Sequence, residues 1–221
     1  MRWWRRNDCN GEIAGAMSVA SLALDNHDYL DAGSKIGENL YLQSPMSLGD
    51  RTYPGHPAYG LVGWNDVPEY CGPKTMNGYE VYYYDDIART ALGIILSASI
   101  LKTDVYNERL SKNLIGLLKI TNRYGFLPDR IDQQVLIKRG WKSYFNDSTI
   151  NLSLGMQAYV WAYYLWAYNQ TGFDQFLKQA KSGLTETMKT YPDHDIWNNG
   201  TRARMMLPIA WLIRIEDSYA S

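Results

Sequence analysis

Apolar and small residues occupy every side of residues 11–24. Ile13, Met17, Ala20 and Leu24 form one stripe, and Ala14, Val19, Leu22 and Ala23 fill the others. A helix that is apolar all round is one buried on both faces, so this stretch predicts an inner helix, with Asn10 suited to its N-cap. After the turn Asp25-Asn26-His27-Asp28 the pattern changes. Across residues 29–42, Leu30, Gly33, Ile36, Gly37, Leu40 and Tyr41 share one face, and Asp31, Lys35 and Glu38 take the other. That is a one-sided, outer helix. The two patterns then alternate. Residues 87–101 are apolar all round. Residues 105–121 set Leu110, Leu114, Leu117 and Leu118 against Glu108, Arg109, Lys112 and Lys119. Residues 149–170 are again apolar all round and heavily aromatic, stopping before Gly172. Residues 174–190 are one-sided through Phe176, Leu177, Ala180, Leu184 and Met188, and residues 202–215 are apolar on most sides. Pro208 kinks this last helix or marks its true start.

The connections alternate too. The turn after each all-round helix is short. The segments that follow the one-sided helices, residues 43–82, 122–147 and 191–200, are long and carry Gly, Pro, Trp and Tyr without a sustained period. Loops of this length in a compact domain are commonly functional. The whole predicts an all-α chain with no strand. Its expected architecture is an α/α toroid of about seven helices alternating inner and outer, with the long loops gathered at one end. A plain helix bundle accounts for the helices but needs no set of long aromatic loops. Residues 1–221 are read as a single toroid domain or a fragment of one.

Composition narrows the function. The chain has 221 residues and a net charge of −1. Charges are mixed along it, with no basic run to suggest nucleic acid, and no segment reads as a membrane span. It holds 18 Tyr and 8 Trp but only 4 Phe, a mix that suits a wet, aromatic-lined cleft because Tyr and Trp pair a flat face with a polar tip. Cys9 and Cys71 lie far apart with no zinc-ligand spacing; they could pair in an oxidising compartment, and the sequence leaves that open. His27, His56 and His194 are scattered, so no metal site is expected, and no nucleotide or flavin motif implies a cofactor. The start of the chain has no apolar core of a signal peptide. Location is left open, a periplasmic or secreted parent protein being compatible with the sequence. Met1 stands close before Trp3 and Trp4, as in a chain that begins inside something larger, and these two rings are expected to plug a surface.

The chemistry concentrates in Tyr82-Tyr83-Tyr84-Asp85-Asp86-Ile87-Ala88-Arg89. Either carboxylate can cap the helix that follows. If one does, the other is available to point into a cleft walled by aromatic rings, the equipment of a carbohydrate site.

Several further runs stand out: Arg6-Asn7-Asp8-Cys9-Asn10-Gly11-Glu12, Pro57-Ala58-Tyr59-Gly60-Leu61-Val62-Gly63-Trp64-Asn65, Gly140-Trp141-Lys142-Ser143-Tyr144-Phe145-Asn146, and Arg202-Ala203-Arg204-Met205-Met206-Leu207-Pro208. With Tyr84 to Arg89, and in this order, they resemble the six-hairpin glycosidase-like proteins, (α/α)6 toroids common in carbohydrate systems of gut bacteria. The resemblance spans nearly the whole chain. It implies a site at the N-terminal ends of the inner helices, without fixing one chemistry among hydrolases, lyases and epimerases. A closed ring of that kind has twelve helices, so this chain corresponds to the C-terminal part of one. The open inner surface then calls for a second copy or for a missing N-terminal part of the same domain.

In such a toroid the starts of the all-round helices converge, collecting Asp8, Glu12, Asp85, Asp86, Arg89, Asn146, Arg202 and Arg204. Asp8 and Asp86, on different helices, are the expected acid and base of a glycoside hydrolase, with Asp85 and Glu12 as further carboxylate candidates. Asp8 can equally cap its helix or pair with Arg5 or Arg6. Glu12, on a helix expected to be buried, is either paired or raised in pKa. Arg89, Arg202 and Arg204 suit a uronate carboxylate or the neighbouring acids. Tyr84, Asn146, Trp64, Trp141 and Trp197 complete the expected substrate contacts, each loop Trp either stacking on sugar or pinning its loop. The alternatives are a polysaccharide lyase with Tyr84 or Tyr144 as base, and a non-catalytic glycan-binding or structural half-toroid. The partner expected in every case is a carbohydrate.

Overall fold

The computed structural model describes residues 5–66 and 77–220, with side chains as far as Asp217. The expectations placed on Trp3, Trp4 and Cys71 lie outside the described residues. The structure is mostly helical, as the alternation predicts. It divides into two compact units, Met1–Leu117 with Arg130–Gly140, and Leu118–Asp129 with Trp141–Ser221.

The first unit is built on α1 (Asn7–Leu24), α2 (His27–Glu38), α3 (Tyr84–Leu101) and most of α4 (Asn107–Ile120). Small residues let α1 and α3 run in step, side by side and parallel. A Cβ on Gly11 would lie 2.5 Å from Thr90 Cα, and one on Gly15 would lie 2.9 Å from Gly93 O. One turn further on, the Ser18 and Ser97 hydroxyls are 2.8 Å apart. The tight turn at Asp25 and Asn26 reverses the chain, so α2 returns antiparallel, with Gly33 against Ala14 and Ser18. Asn26 caps α2 through Asp28 N–H. Gly60 adopts φ +79° where the loop backbone meets Lys112 of α4; a Cβ there would sit 1.8 Å from a carbonyl oxygen.

The second unit repeats the plan with α7 (Leu154–Thr171), α8 (Asp174–Met188) and α9 (Asn199–Ala220). Trp161 fits over Gly183, and Tyr164 stacks on Phe176 at 5.6 Å, so α8 descends along α7. Near the start of α9, Arg204 packs on Gly155 near the start of α7. Trp161 donates its indole N–H to Gly125 O at 2.7 Å, which anchors the loop before this unit's helices. Gly172 closes α7 in the left-handed conformation, as expected.

Several boundaries differ from those the sequence predicts. The first helix begins at Asn7, so Arg6 and not Asn10 holds the N-cap position, and Asp8 lies in the first turn. The second ends at Glu38 and continues as a π turn, Asn39–Gln43. The third begins at Tyr84, with Tyr83 at the N-cap and no side-chain cap. Asp85 and Asp86 are therefore first-turn residues and not caps; at that end of a helix their charge is stabilised by the macrodipole. The expectation of no strand is corrected by a short antiparallel pair, β1 (Val81–Tyr83) with β2 (Arg130–Asp132), in the register Tyr82↔Ile131. Three residues per strand are too few to show a period. The segment 122–147 also contains two short helices, α5 (Gln133–Arg139) and α6 (Trp141–Phe145). Pro208 lies inside α9 and does not start it.

The all-round burial expected of the inner helices holds for α7, but α1 departs from it, and so does α9, whose Met206, Leu207 and Ile213 are exposed. The buried face of α1 is its small one, Gly11, Ala14, Gly15, Ser18 and Ser21. Its large apolar residues Ile13, Val19, Leu22 and Leu24 are exposed, Leu22 by 68%. Parallel packing on α3 selects the residues that permit close approach and turns the bulky ones outward.

Candidate functional site

The first unit brings the expected residues Asp8, Glu12, Tyr84, Asp85, Asp86 and Arg89 to the adjacent starts of α1 and α3. Backbone bonds fix the mouth. Asn7 N–H donates to Trp64 O at 2.9 Å, and Trp64 N–H donates to Val81 O at 2.8 Å. The segment around Trp64 therefore ties the entry of α1 to β1, which leads directly into α3. On this frame Asp8 and Asp86 are both buried.

Two guanidinium groups bridge them. Arg6 Nη2 lies 3.0 Å from Asp8 Oδ2 and 3.2 Å from Asp86 Oδ2. Arg89 Nη1 lies 3.1 Å from Asp8 Oδ2 and 3.5 Å from Asp86 Oδ1. Arg89 Nε also donates to Glu12 Oε1 at 2.8 Å. Glu12 is thus the paired case, but on an exposed rim and not in a buried helix face, its side chain being 47% accessible. Trp64 supports the cluster from the side: the Arg6 guanidinium lies 5.3 Å from the centre of its ring, and Tyr83 meets the ring edge-on.

Four buried polar atoms here have no hydrogen-bond partner among the described residues: Arg6 Nε, Asn7 Nδ2, Asp8 Oδ1 and Asp85 Oδ1. Buried polar groups are ordinarily paired, and such vacant capacity gathered at one mouth is what a polar ligand satisfies.

The electrostatics single out Asp86. Burial, together with the Asp85 and Asp8 carboxylates, pushes its pKa up to about 7, against the opposing pull of Arg6. Burial also raises Asp85, while N–H donors of the first turn and Arg89 oppose it. Arg89 is held more firmly charged than usual: burial works against its charge, but Glu12, Asp8 and Asp86 outweigh it. A carboxyl group that keeps its proton near neutrality beside an Asp facing two guanidinium groups matches the division of labour of acid–base chemistry.

A stability prediction follows from the raised value. Below about pH 4 Asp86 is protonated in folded and unfolded chains alike, and its contribution to stability is fully present. As pH rises towards 7, folding retains a proton that the unfolded chain has lost, so that contribution declines. Asp86→Asn cannot ionise. Relative to wild type it should gain about 2–4 kcal/mol between about pH 4 and pH 8, at roughly 1.4 kcal/mol per unit of pKa difference. Urea unfolding at the two pH values checks this; a constant difference would contradict the raised pKa.

The other expected residues are placed as follows. Tyr84 is buried as the first residue of α3. In the second unit, Trp197 is only 5% exposed, and its indole N–H donates to Thr190 Oγ1 at 3.0 Å. Its backbone carbonyl receives Arg202 Nε at 2.8 Å, and Arg202 also faces the Tyr191 ring. Trp197 therefore pins its loop, the second of the two roles expected for a loop Trp. Trp141 opens α6, half-buried against Phe145 with Lys142 over its ring. Asn146 is exposed just beyond α6, and Arg204 lies along Gly155. Tyr144 lines a cavity of about 340 Å³ with Asp129, Asp147 and Asn151, which sequence reasoning missed. The expected pairing of Asp8 with Arg6 is present, whereas the reach of the same guanidinium to Asp86 was not read from the sequence.

Cys9 is exposed. No group of His, Cys, Asp and Glu among the described residues could hold a metal ion, and no described helix is long and apolar enough to cross a membrane. Comparison of the chain with protein-family models, with curated proteins and with solved structures found no match.

Proposed function

We propose that this chain is a carbohydrate-active protein of the glycoside hydrolase type, an open α/α toroid of the six-hairpin kind, in which Asp86 donates the proton to the leaving oxygen and Asp8 is its partner carboxylate. The observation that carries this is the pair of buried carboxylates, Asp86 and Asp8, facing each other across two shared guanidinium groups. The toroid is supported by the repeated plan of the two units, each a long helix, an antiparallel return and a third helix packed on the first. The exposed apolar residues of α1 support a covering partner, either a second copy or a further part of the same domain.

Because one nitrogen lies within 3.2 Å of both carboxylates, their facing oxygens are closer than the ~6.5–9.5 Å of an inverting pair. Retention of anomeric configuration is the outcome this spacing favours. The test is release of reducing ends from a panel of polysaccharides by wild type and Asp86→Asn. Hydrolysis undiminished in the variant would sink the assignment.

A second reading is non-catalytic. It draws on the same bridges: Arg6 and Arg89 engage both carboxylates at once, so the cluster can serve as a neutralised lock between α1 and α3. It expects glycan binding without turnover.

A further inference from the structure

A second cavity, of about 490 Å³, opens in the first unit away from the carboxylate mouth. Its volume lies within the range of small-molecule sites, about 300–1,000 Å³. Gln43, Asp50, Arg51, His56, Glu80 and Gln133 supply its polar lining, and Tyr79 lines it as well. None of these residues belongs to the cluster around Asp86.

The site is built, not incidental. Arg51 is 6% exposed. Its Nη1 donates to Tyr79 O and, at 3.1 Å, to Met46 O. The guanidinium also lies 5.8 Å from the Tyr79 ring centre and 5.6 Å from that of Tyr82. Arg51 Nε and Nη2 make no hydrogen bond to a described residue, so this buried cation keeps donors for the cavity it lines. His56 is oriented as well. Its Nδ1 accepts Ala58 N–H at 3.1 Å, which places the ring proton on Nε2. Burial and Arg51 both lower its pKa, keeping it a neutral donor. Gln133 Oε1 accepts the Tyr82 hydroxyl, which leaves its amide N–H groups for the cavity.

We propose that this cavity binds a neutral sugar ring, as a glycan-holding site separate from Asp8 and Asp86. The lining interleaves acceptors (Asp50, Glu80) with donors (Arg51, His56, Gln133). Adjacent sugar hydroxyls, each both donor and acceptor, match that interleaving. Tyr79 adds an aromatic residue to the lining. Two carboxylates against one guanidinium leave the lining net negative, which selects against an anionic sugar. The ligand class comes from this lining alone, so the proposal stands or falls separately from hydrolysis.

The experiment is NMR titration of the full chain with the methyl glycosides of glucose, galactose, mannose and xylose, and with glucuronate. At least one neutral glycoside is expected to shift the amides of Gly49, Asp50, His56 and Glu80 saturably, and to bind at least tenfold more tightly than glucuronate. Asp50→Ala and Glu80→Ala, both at the rim, should weaken binding by roughly tenfold or more, with unchanged circular dichroism. Asp86→Asn should leave it within twofold. No saturable shift with any neutral glycoside, equal or tighter binding of glucuronate, or shifts confined to Asp8 and Asp86 would each overturn the proposal.

Discussion

Asp86→Asn lowers reducing-end release by about 10²–10⁴-fold, the ordinary contribution of a positioned general acid, while the fold survives. Asn keeps the shape of Asp and retains an oxygen for Arg6 or Arg89, but it has no proton to give. The loss should fall on kcat, because the proton moves only in the transition state. Wild-type rate should decline as pH rises through about 7, where Asp86 loses its proton. Steady-state kinetics across pH, with the variant checked by circular dichroism, measures both effects. A variant as active as wild type would leave Asp86 as a member of an ion-pair lock only.

Gly93→Ala is expected to be strongly destabilising. A Cβ at this position would lie 2.1 Å from Gly11 O and 2.5 Å from Gly11 C. Both atoms belong to the backbone of α1, so no side-chain rotation relieves the clash, and the parallel helices must separate. Overpacking of side chains alone commonly costs 1–3 kcal/mol; a backbone contact this close should exceed about 3 kcal/mol. The separation also reaches the mouth, since Asp8 and Asp86 sit on the same two helices, and it should weaken the bridges made by Arg6 and Arg89. Leu96→Ala is the contrast. Leu96 is an exposed residue of the same helix, and its loss should change stability by under about 0.5 kcal/mol. Chemical denaturation separates the two; near-wild-type stability of Gly93→Ala would contradict the in-step packing of α1 and α3.

Much of the helix order was legible because the period of apolar positions changes from one helix to the next. The aromatic stretch of α7 and the leucine face of α4 announce themselves in this way. The face that α1 buries was not legible. Hydropathy ranks Ile13, Val19 and Leu22 as its inward residues, but the neighbour it packs on selects for close approach, and Gly11, Gly15 and Ser18 face inward instead. The strand pair was hidden because each strand has only three residues and its partner lies far along the chain. At the candidate site, Asp8, Glu12, Asp86 and Arg89 could be grouped from their places at helix starts. Their wiring could not. Arg6 reaches Asp86 across 80 residues of sequence, a pairing set by how α1 and α3 align. Trp197 shows the same limit from the other side: a tryptophan in a loop reads equally as a platform or as a pin until its indole N–H is seen bound to Thr190.

The most direct test of the account is the titration of the Asp86 carboxyl group, followed by carboxyl ¹³C NMR of the selectively labelled chain. The predicted midpoint is near 7, falling towards the ordinary carboxylate range in Asp8→Asn as a neighbouring negative charge is removed. A wild-type midpoint near 4, unmoved by Asp8→Asn, would leave no proton donor at the helix mouths and would contradict the acid role assigned to Asp86.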